Sequence, residues 1–272
     1  AAQDRRYDEA ERLAKAMLEA VRRRDGEGSL AYSDVLFIIA EFYWAQKRYL
    51  EAETYYKESI AVRERMIGSD DPKLSRYLNN LVGVYLETQR PREAIPIMLR
   101  VVAMREREFG VDGVGAVKAR RNLATAYSND NQYQKAADIV RADLRKLEAQ
   151  FGPNHEEVLS SVSSLARILN RTGEWAESDA LWKRLVAAAD AGQSIQRQTS
   201  ALFGFGNHLT STGRARAATA YYERALALHE ARYGQNDIMA MSALINLGSN
   251  YLDLGRYDES AAMSERAIQI VR

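Results

Sequence analysis

The chain has 272 residues, 46% of them hydrophobic and 28% charged, and its 38 Lys and Arg nearly cancel 37 Asp and Glu. This is the balance of a folded chain, and it points to neither nucleic acid nor an acidic membrane as partner. The absence of cysteine excludes disulfides, thiolate metal sites and a cysteine nucleophile, and no apolar run is long enough to span a bilayer.

One short phrase returns along the chain. It reads RRYDEAE at 5–11, KRYLEAE at 47–53, RPREA at 90–94, NQYQKAA at 131–137, GEWAESD at 173–179, GRARAAT at 213–219 and GRYDESA at 255–261. Its aromatic position falls at Tyr7, Tyr49, Pro91, Tyr133, Trp175, Ala215 and Tyr257, in steps of 42 with a single step of 40. A second series, Gly26, Gly68, Gly110, Gly152, Gly192 and Gly234, keeps the same period and the same two-residue deletion, between Trp175 and Gly192. Two independent marks sharing one period and one deletion define an internal repeat.

The elements follow in order. A lone helix is predicted over 5–25. Six units of paired helices come next, over 28–68, 70–110, 112–152, 154–192, 194–234 and 236–272, as one array over 1–272. The first helix of a pair carries apolar residues at i, i+1 and i+4, as in Leu81, Val82 and Tyr85, or Leu123, Ala124 and Tyr127. The second begins at the recurrent phrase and places a small residue three after the aromatic position: Ala10, Ala52, Ala94, Ala136, Ser178, Ala218 or Ser260. Small residues let the helices approach closely. Glycine marks the turn inside several pairs, and aromatic-glycine links such as Phe109-Gly110 end the second helix. Pro96 lies inside a second helix and predicts a bend near residues 92–96. A single pair cannot bury both faces, so neighbours stack: the fold class is all-α, a right-handed solenoid of antiparallel helix pairs.

These positions resemble the tetratricopeptide repeat (TPR), in its 42-residue kinesin-light-chain form. Leu78-Asn79-Asn80-Leu81 matches that family's phrase closely, Arg121-Asn122-Leu123-Ala124 and Ile245-Asn246-Leu247-Gly248 match in part, and Gly152-Pro153-Asn154-His155 resembles its inter-repeat link. The resemblance covers essentially the whole chain. The fifth full repeat departs from it: Phe203-Gly204-Phe205-Gly206 replaces the usual residues and Ala215 lacks the aromatic, so that repeat is expected to be distorted or looser. The chain opens and closes on a second-type helix, ending at Arg272, so it is expected to be a segment of a longer protein.

The resemblance implies that the first helix of each pair lines a concave groove for a protein or peptide. Carried over, the groove positions are Asp34, Phe37, Ile38 and Glu41; Arg76, Asn79, Asn80 and Gly83; Lys118, Arg121, Asn122 and Thr125; Ser160, Ser163, Ser164 and Arg167; Ser200, Phe203, Gly204 and Asn207; Ser242, Ile245, Asn246 and Ser249. In the middle, Arg76, Lys118, Arg121, Arg167 and Arg171 form a basic stripe, with acid limited to Glu87. Asparagines there can grip a peptide backbone and arginines a carboxylate, while Phe203 and Ile245 offer an apolar surface. The expected ligand is an extended segment with acidic residues and a large apolar side chain.

Enzyme chemistry, cofactors and metal are not expected. His155, His208 and His229 belong to different repeats, with no pair at metal-ligand spacing, and His155 reads as a capping residue in a link. The leading function is a cytoplasmic protein–protein interaction scaffold or adaptor. The alternatives are a regulatory arm of a larger enzyme, such as a caspase-like protease or an ATPase, and a self-assembly module.

Overall fold

A computed structural model describes the backbone of residues 2–192 and 194–270, and the side chains of 9–192, 194–238 and 240–270. The side chain of Tyr7 and the terminal Arg272 lie outside the described residues. The described chain is helical, with no strand. Its helices are α1 (Ala2–Asp25), α2 (Leu30–Ala45), α3 (Tyr49–Ile67), α4 (Ser75–Glu87), α5 (Pro91–Phe109), α6 (Val114–Asn129), α7 (Tyr133–Phe151), α8 (Glu156–Thr172), α9 (Trp175–Asp190), α10 (Ile195–Ser211), α11 (Ala215–Tyr233), α12 (Met241–Asp253) and α13 (Tyr257–Ile270). They fall into two compact units, residues 1–143 and 144–272, with the division inside α7.

Local chemistry sets the helix ends. Ser29 caps α2 by accepting from the Tyr32 N–H at 3.1 Å, and Asp71 caps the short 3-10 turn before α4 by accepting from the Lys73 N–H at 2.8 Å. His155 caps α8: its Nδ1 accepts from the Glu157 N–H at 3.2 Å while the ring stacks on Phe151 at 4.5 Å. Gly68, Gly110, Gly152 and Gly234 end second helices with positive φ, a conformation glycine adopts without steric cost. Gly192 has no positive φ; beside the two-residue deletion, α9 ends instead on Ala191 in right-handed helical geometry.

In unit 1 the core is aromatic and aliphatic. Phe37 meets Tyr77 edge-on at 4.6 Å and Tyr56 at 5.5 Å, above Leu74, Leu78, Leu81, Met98 and Met104, all under 9% exposed. The helix α5 continues through Pro96, which is exposed. Its first turn is tightened: the Glu93 N–H reaches the Arg90 carbonyl, three residues back, where α3 closes through Ala52 to Arg48, four back.

In unit 2 two glycines of α10 receive aromatic rings. A Cβ on Gly204 would stand 2.1 Å from the Trp182 ring, and one on Gly206 2.5 Å from Tyr222. The Phe203–Gly206 segment is therefore an unbroken part of α10 whose missing side chains make room for α9 and α11.

Candidate functional site

The repeat aligns the first helices of the hairpins residue by residue. In unit 1 this brings Asp34, Arg76 and Lys118 into one column, Ile38, Asn80 and Asn122 into another, and Glu41, Gly83 and Thr125 into a third. Asp34, Ile38, Glu41, Arg76, Lys118, Asn122 and Thr125 are exposed, while Asn79, Asn80 and Arg121 are half-buried. Phe37, expected on this surface, is instead a core residue, 5% exposed, because Tyr56 of α3 and Tyr77 of α4 close around it. The Arg76 guanidinium covers the remaining face of that ring, 4.7 Å from its centroid.

Acid reaches this surface from α2. Asp34 is ion-paired with Arg63 and accepts from the Tyr77 hydroxyl at 3.1 Å. Glu41 accepts from the Tyr56 hydroxyl at 2.8 Å and from Asn80 Nδ2. Burial, and then the Glu41 carboxylate, push the Tyr56 hydroxyl far above its usual range, so it stays protonated and donates to Glu41 while accepting from Asn80 Nδ2 at 3.5 Å. The surface around Arg76 and Asn80 is thus mixed in charge. Sequence alone placed the acid of the central stripe at Glu87, because the contact that joins Glu41 to Asn80 spans 39 residues.

Unit 2 presents a different surface on the same positions. Ser160, Ser200 and Ser242 form one column; Ser163, Phe203 and Ile245 the next; then Ser164, Gly204 and Asn246; then Arg167, Asn207 and Ser249. Hydroxyls replace charges, with Arg167 and Arg171 exposed on α8. Ile245 is 57% exposed. Phe203 is half-buried, its ring 6.2 Å from that of His229 and 6.5 Å from that of Tyr222. The Tyr222 hydroxyl donates to Asn207 Oδ1 at 2.7 Å, and Ser164 returns its hydroxyl to the Ser160 carbonyl at 3.1 Å.

Behind this surface lies a polar node that spacing did not reveal. The imidazole of His208 is 1% exposed and sits between Asp179, whose Oδ1 is 2.5 Å from Nε2, and Asn170, whose Oδ1 is 3.1 Å from Nδ1. Arg214 donates both terminal nitrogens to the Asp179 carboxylate at 2.7 Å. Those Arg214 bonds, and then the His208 contact, hold the Asp179 carboxyl down to about 2. One repeat further on, Asn250 Nδ2 donates to Thr219 Oγ1 at 2.8 Å on the same pair of positions. The signal existed: His208 and Asn250 fall where the earlier repeats carry Val84, Ala126 and Ile168. His229 is buried too; its Nδ1 has no hydrogen-bond partner among the described residues, and burial lowers its pKa below that of a free histidine.

The family model described as tetratricopeptide repeat matches residues 1–65, 32–107, 73–142 and 197–272. The chain belongs to the tetratricopeptide repeat family. Solved TPR structures show the same solenoid fold at low sequence identity. A chain of nearly identical kinesin-light-chain-like TPR repeats from Podosopora anserina is 18% identical and superposes with a TM-score of 0.63, over 73% of this chain and 95% of that one. A TPR protein from Parabacteroides merdae is 14% identical with a TM-score of 0.65, over 97% and 93%. A Rap protein complexed with competence and sporulation factor is 14% identical with a TM-score of 0.56, over 94% and 79%. None of the curated proteins matches the chain in sequence. TPR arrays are generally scaffolds for protein–protein interaction. Among the described residues no helix is long and apolar enough to cross a membrane, and no three His, Cys, Asp or Glu side chains gather as metal ligands would.

Proposed function

We propose that this TPR chain is an interaction module that holds an extended segment of a partner protein against the first helices of its hairpins. The observation that carries this reading is the alignment of exposed and half-buried polar and apolar side chains on those helices. Arg76, Asn79, Asn80, Lys118, Arg121 and Asn122 present donors and charge in unit 1. Ser164, Arg167, Phe203, Asn207, Ile245 and Asn246 present hydroxyls, amides and apolar area in unit 2. Amides offer a donor and an acceptor to a peptide backbone, and exposed Arg76 and Arg167 offer guanidinium groups to a carboxylate. The Rap structure, solved with competence and sporulation factor, supports the use of this fold to hold a ligand. The favoured ligand is a segment with an acidic residue and a large apolar side chain, the latter on Phe203 and Ile245. Action inside the cytoplasm belongs to the same reading.

The test is to pan a displayed peptide library over the full chain, with the Arg76→Glu/Arg167→Glu double variant as counter-screen. Enriched acidic and apolar peptides that the variant binds about ten- to hundred-fold more weakly support the reading. Peptides that bind both proteins alike remove the basic contacts from it, and no enrichment at all turns the assignment to a folded partner surface.

A further inference from the structure

The carboxylates of unit 1 are not alike. Asp34 is neutralised by Arg63. Glu53 meets both Arg90 and Lys57, and Glu11 meets both Arg48 and Lys15. Glu41 stands apart. Its two hydrogen bonds come from neutral donors, the Tyr56 hydroxyl and the Asn80 amide, and both arrive at Oε1. Among the described residues no cationic nitrogen lies within ion-pair distance of it, and Oε2 accepts no hydrogen bond. The side chain is nevertheless exposed. Two neutral donors fix its position without cancelling its charge, as in a preorganised site for a cation.

Its surroundings narrow what that cation is. Ile38, one helical turn before Glu41 on α2, is 52% exposed. Half-buried Asn80 meets Glu41 from α4, and Arg76, one turn before Asn80, carries the opposite charge on the side where it covers Phe37. The surface therefore runs from a positive end at Arg76, past the apolar Ile38, to a negative end at Glu41. An inorganic cation finds only one carboxylate here, whereas a lysine or arginine on a peptide gains the apolar contact as well.

We propose that Glu41 is the docking point for a lysine or arginine of the partner segment, with an adjacent large apolar side chain of that segment resting on Ile38. The inference deepens the segment-binding reading above and rests on it. It gives the ligand a charge order: basic where it crosses Glu41, acidic where it crosses Arg76. The charge complement is local, so a ligand that is acidic throughout meets repulsion at the α2 end.

The experiment uses the full chain. Peptides enriched from a displayed random library are synthesised and titrated against the wild type, Glu41→Gln and Ile38→Ser at two salt concentrations. Glutamine keeps an oxygen to accept from Tyr56 and Asn80 and removes only the charge; thermal melting of both variants checks the fold. The expected result is peptides with Lys or Arg next to a large apolar residue, an affinity about ten-fold lower for Glu41→Gln, and a weaker salt dependence in that variant. Changing the peptide's basic residue to glutamine should then cost no more against Glu41→Gln. Enriched peptides without a basic residue, or equal affinity for wild type and Glu41→Gln, overturn the inference and leave the segment-binding reading standing. A library that yields no binder overturns that reading, and this inference with it.

Discussion

Units 1 and 2 are built from one repeat yet solve the same three positions differently. At the turn inside each hairpin, unit 1 puts Lys47, Gln89 and Asn131 into positive φ, near 59°, where unit 2 has Gly173, Gly213 and Gly255. At the buried position that joins a hairpin to the next, Val84 and Ala126 in unit 1 and Ile168 in unit 2 give way to His208 and Asn250 in the last two hairpins of unit 2. On the exposed face of the first helices, charges in unit 1 become hydroxyls in unit 2. Unit 1 keeps a side chain in each turn at a conformational cost and packs Val84 and Ala126 behind. Unit 2 has relaxed turns and places its specificity in buried hydrogen bonds, which tolerate less error.

The comparison breaks most sharply at Asp179. Replacing it by alanine leaves Arg214 and His208 facing each other without the carboxylate and should cost about 3 kcal/mol, measured by urea unfolding followed through Trp182. Val84→Ala at the apolar counterpart should cost about 1–2 kcal/mol, followed through Trp44. Equal losses would mean that the polar node adds nothing to ordinary packing. The glycines give the next contrast. Gly204→Ala drives a methyl into the Trp182 ring and should destabilise by about 1–3 kcal/mol, whereas Gly83→Ala meets Trp44 at 3.2 Å and should be near neutral, the helix-propensity gain of about 1 kcal/mol offsetting a small shift of the ring.

Acidity separates the units again, since all three histidines lie in unit 2. Burial lowers the pKa of His229, so its neutral form favours the folded state: that stability is complete above the unfolded value near 6.5 and is lost as pH falls through the lower folded value. Stability should fall as pH drops below about 6.5 in the wild type and fall less in His229→Phe, read from melting at a series of pH values. Asp179 acts lower: its contribution is present above about pH 4 and disappears as pH falls toward 2. The smallest effect is expected at the turns. Gln89→Gly should raise stability by about 0.5–1 kcal/mol by relieving positive φ, and Gly173→Ala should lower it by a similar amount, both read from denaturant midpoints.

The repeat was legible because its marks are local. A glycine that ends a helix and an aromatic that opens the next lie within one hairpin, and their spacing defines the period. The exposed columns were legible for the same reason, helical periodicity. What sequence could not supply was the partner across a hairpin boundary. Nothing within one turn of Phe37 says that Tyr77 will cover it, and nothing near Asn80 says that Glu41 will take its amide. His208 reads as a lone helical histidine until its position is compared with those of the other repeats. The fifth full repeat, expected to be loose, contains the closest ring-to-backbone approach of α10, because absent side chains count as packing only once Trp182 and Tyr222 are in place.

That approach bears on how such chains change over generations. Duplication and exchange of hairpins treat repeats as interchangeable tiles, but a tile with glycine at position 204 suits only a predecessor that offers a large ring, and a tile carrying Trp182 rejects any successor with a side chain there. The junction between α9 and α10 therefore has a fixed order of neighbours. The same holds where the Phe109 ring of α5 lies 2.3 Å from the place a Cβ on Gly115 of α6 would take.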